Sequence, residues 1–222
     1  MKSNFRLWLL IAFAAAFLAA FVIISSEVRE ANAGQVELIE KLDQEASQIL
    51  ASIRSPKLNA MAVEITSLGS GIVVSIFVLI VSVLFAFRQR YIQILHLLFA
   101  TIGSAILMFT MKSFFERPRP PLISRLVDVQ GYSFPSGHSL TSAAVYLTFA
   151  FLLGFHFKKS FERLVIIGLT LIFIFTIAIS RVYLGVHYLS DVIAGVFVGL
   201  FWAASLAAIS QFYLGGQIDK EK

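Results

Sequence analysis

The 222-residue sequence contains no cysteine, and only 14% of its residues are charged. The lack of cysteine excludes disulfides, thiolate metal sites and a cysteine nucleophile. Soluble domains carry about 25% charged and roughly 45–50% apolar residues, whereas 58% of this chain is apolar. Phe alone occurs 22 times. A soluble fold of this size has too much surface to hide so much hydrocarbon. The composition therefore predicts an integral membrane protein.

The chain also lacks a long basic tail or stripe, although its formal net charge is +5. Its Lys and Arg residues lie in short gaps between apolar runs, which argues against nucleic-acid binding. No internal repeat or low-complexity tract marks a second domain. We therefore interpret residues 1–222 as a single membrane-embedded domain.

Apolar runs define the predicted membrane spans. A helix needs about 17–25 apolar residues to cross the hydrocarbon core. Six stretches meet this length, near residues 7–24, 69–87, 91–111, 139–155, 164–180 and 192–216. The gap at 25–68 mixes apolar and charged residues as an amphipathic helix does, and Ser55-Pro56 interrupts it. The predicted fold is an all-α membrane protein with six transmembrane helices and an extracytoplasmic amphipathic helical segment between the first two.

The orientation of these spans depends on where the basic residues lie. The 18 Lys and Arg residues divide equally between the two sides. On one side they occupy the shortest loops, 88–90 and 156–163, where the positive-inside bias acts most strongly. We therefore expect both termini in the cytoplasm and loops 112–138 and 181–191 outside. A cleaved signal peptide is the alternative for the N-terminus, but its apolar core would exceed the usual ~7–15 residues.

Polar residues gather at three span ends on the side assigned to the outside. These clusters are Lys112–Pro120, Phe134–Ser139 and Ser180–Asp191. Charge close to the membrane interior is costly, so ionisable residues there are candidates for function. The question is which chemistry the three clusters would perform together.

The first prediction is a phosphate site. Lys112, Arg119 and Arg181 offer three cations, and a guanidinium matches phosphate oxygens with two parallel hydrogen bonds. Ser136 and Gly137 open a helix, where free N–H groups and the helix dipole favour an anion. Glycine there lets the backbone approach the anion closely. Extension of the cations to lipid headgroups would explain any one of them, but less readily all three on one side.

Two histidines could supply the catalytic groups of this site. His187 and Asp191 are four residues apart and share a helix face if the sixth helix begins by His187, so the carboxylate could orient the imidazole as a nucleophile. His138 comes from another span and could act as general acid. A zinc site is the alternative use of these residues, but three nearby cations would repel Zn²⁺, so no metal is expected. His96 and His156 are interpreted as structural. Arg117 would either add charge at the rim of the site or extend to lipid headgroups, and the second is favoured.

Three motifs together resemble the signature of the type 2 phosphatidic acid phosphatase family. They are Lys112–x6–Arg119-Pro120, Pro135-Ser136-Gly137-His138 and Ser180-Arg181–x5–His187–x3–Asp191. The resemblance covers about residues 66–211 and leaves the amphipathic segment outside. One motif alone would be weak support, whereas all three in order between predicted spans are highly specific.

The resemblance implies a six-helix membrane enzyme that removes phosphate from lipids without a metal or other cofactor. The implied phosphate-binding residues are Lys112, Arg119, Ser136, Gly137 and Arg181. His187 would attack phosphorus to form a phosphohistidine, with Asp191 orienting it. His138 would protonate the leaving oxygen and later activate water.

The expected partners are the lipid bilayer and a lipid phosphate, and no obligatory protein partner is evident. The family implies phosphatidylglycerophosphate, phosphatidic acid or undecaprenyl diphosphate as substrate, in the plasma (inner) membrane with an extracytoplasmic site. A lipid phosphotransferase would use the same phosphohistidine, and a lipid A phosphatase is a further alternative. A non-catalytic transporter or scaffold would bind lipid phosphate without needing His187.

Overall fold

The computed structural model describes residues 2–32, 38–154, 157 and 159–218, and the regular structure within them is helical. These residues form α1 (Lys2–Asn32), α2 (Leu38–Ser52), α3 (Pro56–Ser67), α4 (Gly71–Phe87), α5 (Tyr91–Phe115), α6 (Gly137–Gly154), α7 (Ser160–Tyr183) and α8 (Leu189–Ile218). A 3-10 turn at Leu122–Ser124 lies between α5 and α6. The end of the fourth predicted span at residue 155, residues 156 and 158 of the predicted basic loop, and both chain ends (1 and 219–222) lie outside the described residues.

Five of these helices are long and apolar enough to cross a membrane: α1, α5, α6, α7 and α8. The remaining predicted span, 69–87, corresponds to α4, which follows α3 after a bend of 49°. Counted as one broken helix, the α3–α4 pair supplies the sixth span. The all-α membrane fold is confirmed, but its second span is bent instead of straight.

The bend has local causes in the sequence. Ser55 accepts a hydrogen bond from the Leu58 N–H and Pro56 occupies the first helical position, so α3 starts where the amphipathic segment was predicted to break. Ser70 caps α4 in the same way. Between them, a Cβ on Gly69 would come within 2.9 Å of Ser142 Oγ on α6. The break therefore lies against the start of α6.

Helices α6 and α8 form the centre of the bundle, and α1, α5 and α7 pack around them. Gly195 and Gly199, one turn apart on α8, allow this close approach. A Cβ at either position would come within 2.6 Å of a carbonyl oxygen of Ser136 or Leu140. Small residues let helices meet closely in lipid, where no hydrophobic force drives them together. The pairing is parallel, so the first turns of both helices lie at the same end.

Helix α2 has an exposed side and a buried side. Leu38, Leu42 and Ile49 are exposed along one side, a pattern typical of a helix in the membrane interface. Lys41 and Glu45 are also exposed, and Glu45 lies one turn from Ile49 on this side. The amphipathic pattern alone suggests that all charged residues of α2 are solvated, but Asp43 is only 2% exposed and faces the bundle.

The α6–α8 contact can be tested with one substitution and a matched control. Gly199→Ala should lower the Tm in detergent, because its Cβ would meet Ala143 Cβ at 2.5 Å and overpacking costs about 1–3 kcal/mol. Gly168→Ala on α7 meets no atom within 4 Å. It should leave the Tm unchanged or raise it, since Ala favours a helix by about 0.5–1 kcal/mol over Gly. Equal Tm values for the two variants would contradict the close packing.

Candidate active site

One end of the helix bundle collects all three polar clusters. Lys112 and Arg181 lie in the last turns of α5 and α7, while His138 and Asp191 lie in the first turns of α6 and α8. A backbone bond from the Ser136 N–H to the Asp191 carbonyl, 2.9 Å long, joins the two helix starts. The structure thus brings the eight sequence-predicted site residues to a single place.

His187 is held at both ring nitrogens. Its Nδ1 lies 3.2 Å from Asp191 Oδ2, and its Nε2 lies 3.1 Å from Nη1 of Arg119. A carboxylate accepts and a guanidinium only donates, so these partners assign the proton to Nδ1 and the lone pair to Nε2. Burial lowers the pKa of His187 to about 3, even though Asp191 opposes this shift. The ring is therefore neutral near pH 7, with Nε2 available as a nucleophile.

Backbone carbonyls of loops 112–138 and 181–191 hold two of the predicted phosphate-binding cations. Arg119 donates to Gly131 O and, from Nη1, to Val186 O, at 2.9 and 2.8 Å. Lys112 donates to the carbonyl of Tyr132 at 2.5 Å. Within the described residues, neither cation forms an ion pair with a carboxylate. Both keep a positive charge that can bind an anion.

Arg181 is the third cation and is almost completely buried. Its Nη1 donates to Thr66 Oγ1 at 2.9 Å, but its Nε has no hydrogen-bond partner in the described part of the chain. A buried donor without an acceptor costs free energy, so an oxygen ligand would stabilise it. His138 also makes no side-chain hydrogen bond to described residues, and it interacts electrostatically with Arg181, His187 and Arg119.

The start of α6 shows a helix cap. Ser136 Oγ accepts a hydrogen bond from Ser139 Oγ at 3.1 Å and lies 3.5 Å from the Ser139 N–H. A Cβ on Gly137 would overlap the sulfur of Met108 on α5. Gly137 thus lets the flexible Met108 side chain pack closely against the start of α6, a reason that differs from the close approach to an anion predicted from the sequence.

Arg117 is only 5% exposed, so its interpretation as a side chain that extends to lipid headgroups is wrong. Its guanidinium donates to Asp191 Oδ1 at 2.6 Å and to Asp43 Oδ2 at 2.8 Å. Burial alone would lower the pKa of Arg117, but the two carboxylates outweigh burial and raise it. These ion pairs offset the cost of removing the charge from water.

Asp43 and Ser190 complete this buried cluster, and both were missed from the sequence. The Ser190 N–H donates to Asp43 Oδ1 at 2.8 Å, and its hydroxyl donates to Oδ2 at 2.6 Å. Asp43 is one of several acidic residues in α2, and no sequence pattern distinguishes it from the others. Ser190 directly precedes the motif residue Asp191, and this position was the one signal in the sequence that could have identified it as a site residue.

Neither the zinc alternative nor His96 adds a group to this site. The described residues contain no group of three or more His, Asp or Glu side chains that could hold a metal ion. His187 and Asp191 bond to each other, and Asp191 also binds Arg117. His96 hydrogen-bonds to the Ile92 carbonyl one turn earlier in α5, consistent with a structural residue.

Comparisons with known proteins agree with this arrangement. The PAP2 superfamily model matches residues 93–213. Phosphatidylglycerophosphatase B of Bacillus subtilis (strain 168) is 36% identical over 166 residues, which span 73% of this chain and 80% of that protein. The crystal structure of the transmembrane PAP2-type phosphatidylglycerolphosphate phosphatase from Bacillus subtilis matches with a TM-score of 0.81 at 27% identity, covering 90% and 96% of the two chains. LpxE of Aquifex aeolicus matches with a TM-score of 0.59 at 26% identity, covering 74% and 93%.

The neutral state of His187 predicts a pH-dependent stability. Burial lowers the pKa of its imidazole to about 3 in the folded state, from about 6.5 in the unfolded state. As the pH falls between these values, the unfolded state binds the proton first and the folded state loses stability. The loss at pH 5 is about 2 kcal/mol. Between pH 7.5 and 5, the Tm of the wild type should therefore fall more than that of His187→Gln. Parallel Tm curves would show that folding leaves the pKa of His187 unchanged.

Proposed function

This chain belongs to the PAP2 superfamily, and we propose that it is a membrane lipid phosphatase acting through a phosphohistidine on His187. One observation carries the proposal: the unprotonated Nε2 of a buried histidine lies 3.1 Å from Arg119, among cations that form no ion pair with any carboxylate in the described part of the chain. The arrangement offers a nucleophile and the charge to stabilise a phosphoryl group at the same point.

The first chemical step transfers the phosphoryl group to the enzyme. Lys112, Arg119 and Arg181 bind the phosphate oxygens and take the part that Mg²⁺ plays in many phosphoryl transfers. Nε2 of His187 attacks phosphorus, the Nε2–P bond forms, and the P–O bond to the lipid breaks. The bound anionic phosphate favours the protonated form of His138, which gives its proton to the leaving oxygen. The Nδ1–H stays bonded to Asp191, which stabilises the positive charge on the phosphorylated ring.

The second step restores the enzyme. Neutral His138 takes a proton from water as the water oxygen attacks phosphorus, and the Nε2–P bond breaks. Inorganic phosphate leaves, His187 is again neutral with its proton on Nδ1, and His138 is again protonated. In a lipid phosphotransferase, the hydroxyl of a second lipid would take the place of water in this step.

We propose phosphatidylglycerophosphate as the substrate. The similar Bacillus subtilis proteins are phosphatidylglycerophosphate phosphatases, which supports this assignment. The site lies at the ends of apolar helices, so a lipid headgroup can enter it while the acyl chains stay in the bilayer. Phosphatidic acid, undecaprenyl diphosphate and lipid A are the competing substrates.

We propose further that the protein lies in the plasma (inner) membrane with both termini in the cytoplasm and the site outside. Arg88, Arg90 and Arg163 lie at the opposite end of the bundle from the site. They flank short connections, where the positive-inside bias is strongest. Six spans, counting α3–α4 as one, return the chain to the side on which it begins.

Turnover should depend on His187 and not on added metal. His187→Ala should lower phosphate release by more than about 100-fold, because it removes the nucleophile and not only an acid or base. The assay measures inorganic phosphate in detergent from the four candidate lipids, with EDTA present. His96→Ala is the matched control and should keep wild-type activity.

Three results would contradict parts of this proposal. Substantial activity of His187→Ala would exclude the phosphohistidine. Activity lost in EDTA and restored by Mg²⁺ or Zn²⁺ would require a metal. Consumption of substrate without free phosphate, together with a newly phosphorylated lipid, would indicate a phosphotransferase.

The orientation can be tested by labelling, because the chain has no native cysteine. Ile123 is 97% exposed at the site end, and Gln89 is exposed at the other end. In intact cells with any outer membrane permeabilised, Ile123→Cys should react with a membrane-impermeant maleimide and Gln89→Cys should not. Labelling of Gln89→Cys alone would place the site in the cytoplasm.

A further inference from the structure

Asp43 connects α2 to the first turn of α8. Both of its carboxylate oxygens are used: Oδ1 accepts from the Ser190 N–H, and Oδ2 accepts from the Ser190 hydroxyl and from Arg117 Nη2. These bonds are 2.6–2.8 Å long, and all three residues are at most 5% exposed. Charged groups are rarely buried unless they are paired in this way.

Arg117 extends the connection to the residue that orients the nucleophile. Its Nη1 donates to Asp191 Oδ1 at 2.6 Å and to Ser190 Oγ at 2.7 Å. The guanidinium also lies over the ring of Tyr188, with 4.3 Å from Cζ to the ring centroid. Hydrogen bonds at both Nη atoms and an aromatic ring against one face hold the planar guanidinium in a single orientation.

This orientation determines which oxygen of Asp191 faces His187. Oδ1 is occupied by Arg117, so Oδ2 is the oxygen that meets His187 Nδ1 and the Tyr188 N–H, at 3.2 and 3.0 Å. The terminal torsion of an Asp side chain is otherwise broad. Loss of the bond at Oδ1 would let the carboxylate rotate and the imidazole shift. A displacement of about 1 Å in a reacting group can cost ~10²-fold in rate.

The charges of the cluster also favour catalysis. Asp43 and Asp191 together outweigh the single charge of Arg117, so the cluster keeps a negative charge beside His187. The ring becomes positive when Nε2 bonds to phosphorus, and this negative charge stabilises it. Unlike Lys112 and Arg119, Arg117 has its charge matched by carboxylates and so serves the nucleophile instead of the phosphate.

We propose that Asp43, which lies outside the family signature, is a positioning residue for the reaction and acts through Arg117 on Asp191 and His187. This inference rests on the proposed phosphohistidine mechanism. It assigns to α2, in the segment between the first two membrane spans, a part in the chemistry of the site.

The test compares Asp43→Asn with Glu45→Gln, which removes an exposed charge from the same helix. Asp43→Asn should lower kcat by about 10- to 100-fold while KM stays within about twofold, because the phosphate-binding cations are untouched. Glu45→Gln should match the wild type. Arg117→Lys keeps the charge but loses the two-edged geometry, so it should show the same selective loss of kcat.

Two inhibitors separate positioning from a general structural defect. Vanadate in its five-coordinate form resembles the transition state and needs the nucleophile in line, whereas inorganic phosphate needs only the cations. In Asp43→Asn, inhibition by vanadate should weaken by about the same factor as kcat, with inhibition by phosphate unchanged. Equal weakening of both inhibitors, or a kcat within twofold of wild type, would overturn the proposal.

The remaining checks are the folded state of the variants and the activity of His187→Ala. Loss of the folded protein in both Asp43→Asn and Arg117→Lys, judged by size-exclusion chromatography in detergent, would make the cluster purely structural and overturn the proposal. Activity retained by His187→Ala would refute the phosphohistidine mechanism itself. An inactive His187→Ala beside a fully active Asp43→Asn would refute the positioning role alone.

Discussion

The buried carboxylate of Asp191 is the interaction on which the site depends. A carboxylate without exposure to water is stable only when its oxygens are bonded and its charge is paired. Arg117 from the loop after α5, and His187 and the Tyr188 N–H from the loop before α8, meet this requirement. Satisfying one buried charge therefore brings together the loop after α5, the loop before α8 and, through Arg117, helix α2.

The basic residues at this end of the bundle differ in their hydrogen-bond and ion-pair partners. Lys112 and Arg119 are held by backbone carbonyls and keep their charge for an anion. Arg117 is matched by two carboxylates, so its charge is already neutralised. His187 lies between these two environments, with Nε2 towards the first and Nδ1 towards the second. A nucleophile with one nitrogen facing cations and the other facing an anion suits attack on a phosphate.

The lipid environment explains why the polar groups lie at the helix ends. Apolar helices must satisfy their own backbone groups in lipid, so polar chemistry concentrates where the helices end. The parallel contact of α6 with α8 at Gly195 and Gly199 brings the first turns of both helices to one level. The bend between α3 and α4 then places Thr66 against Arg181, so the second span also contributes to the site.

Hydropathy determined the helical class and the approximate spans, and motif spacing predicted the eight site residues, because both signals are local in the chain. The break at Ser55-Pro56 was predicted for the same reason. Only the tertiary structure decided that the second span bends and that Arg117 and Asp43 are buried together. An acidic residue on an amphipathic helix has the same sequence pattern whether it meets water or a guanidinium. The difference arises from a partner distant in sequence, since the burial of a charge depends on what the folded chain places beside it.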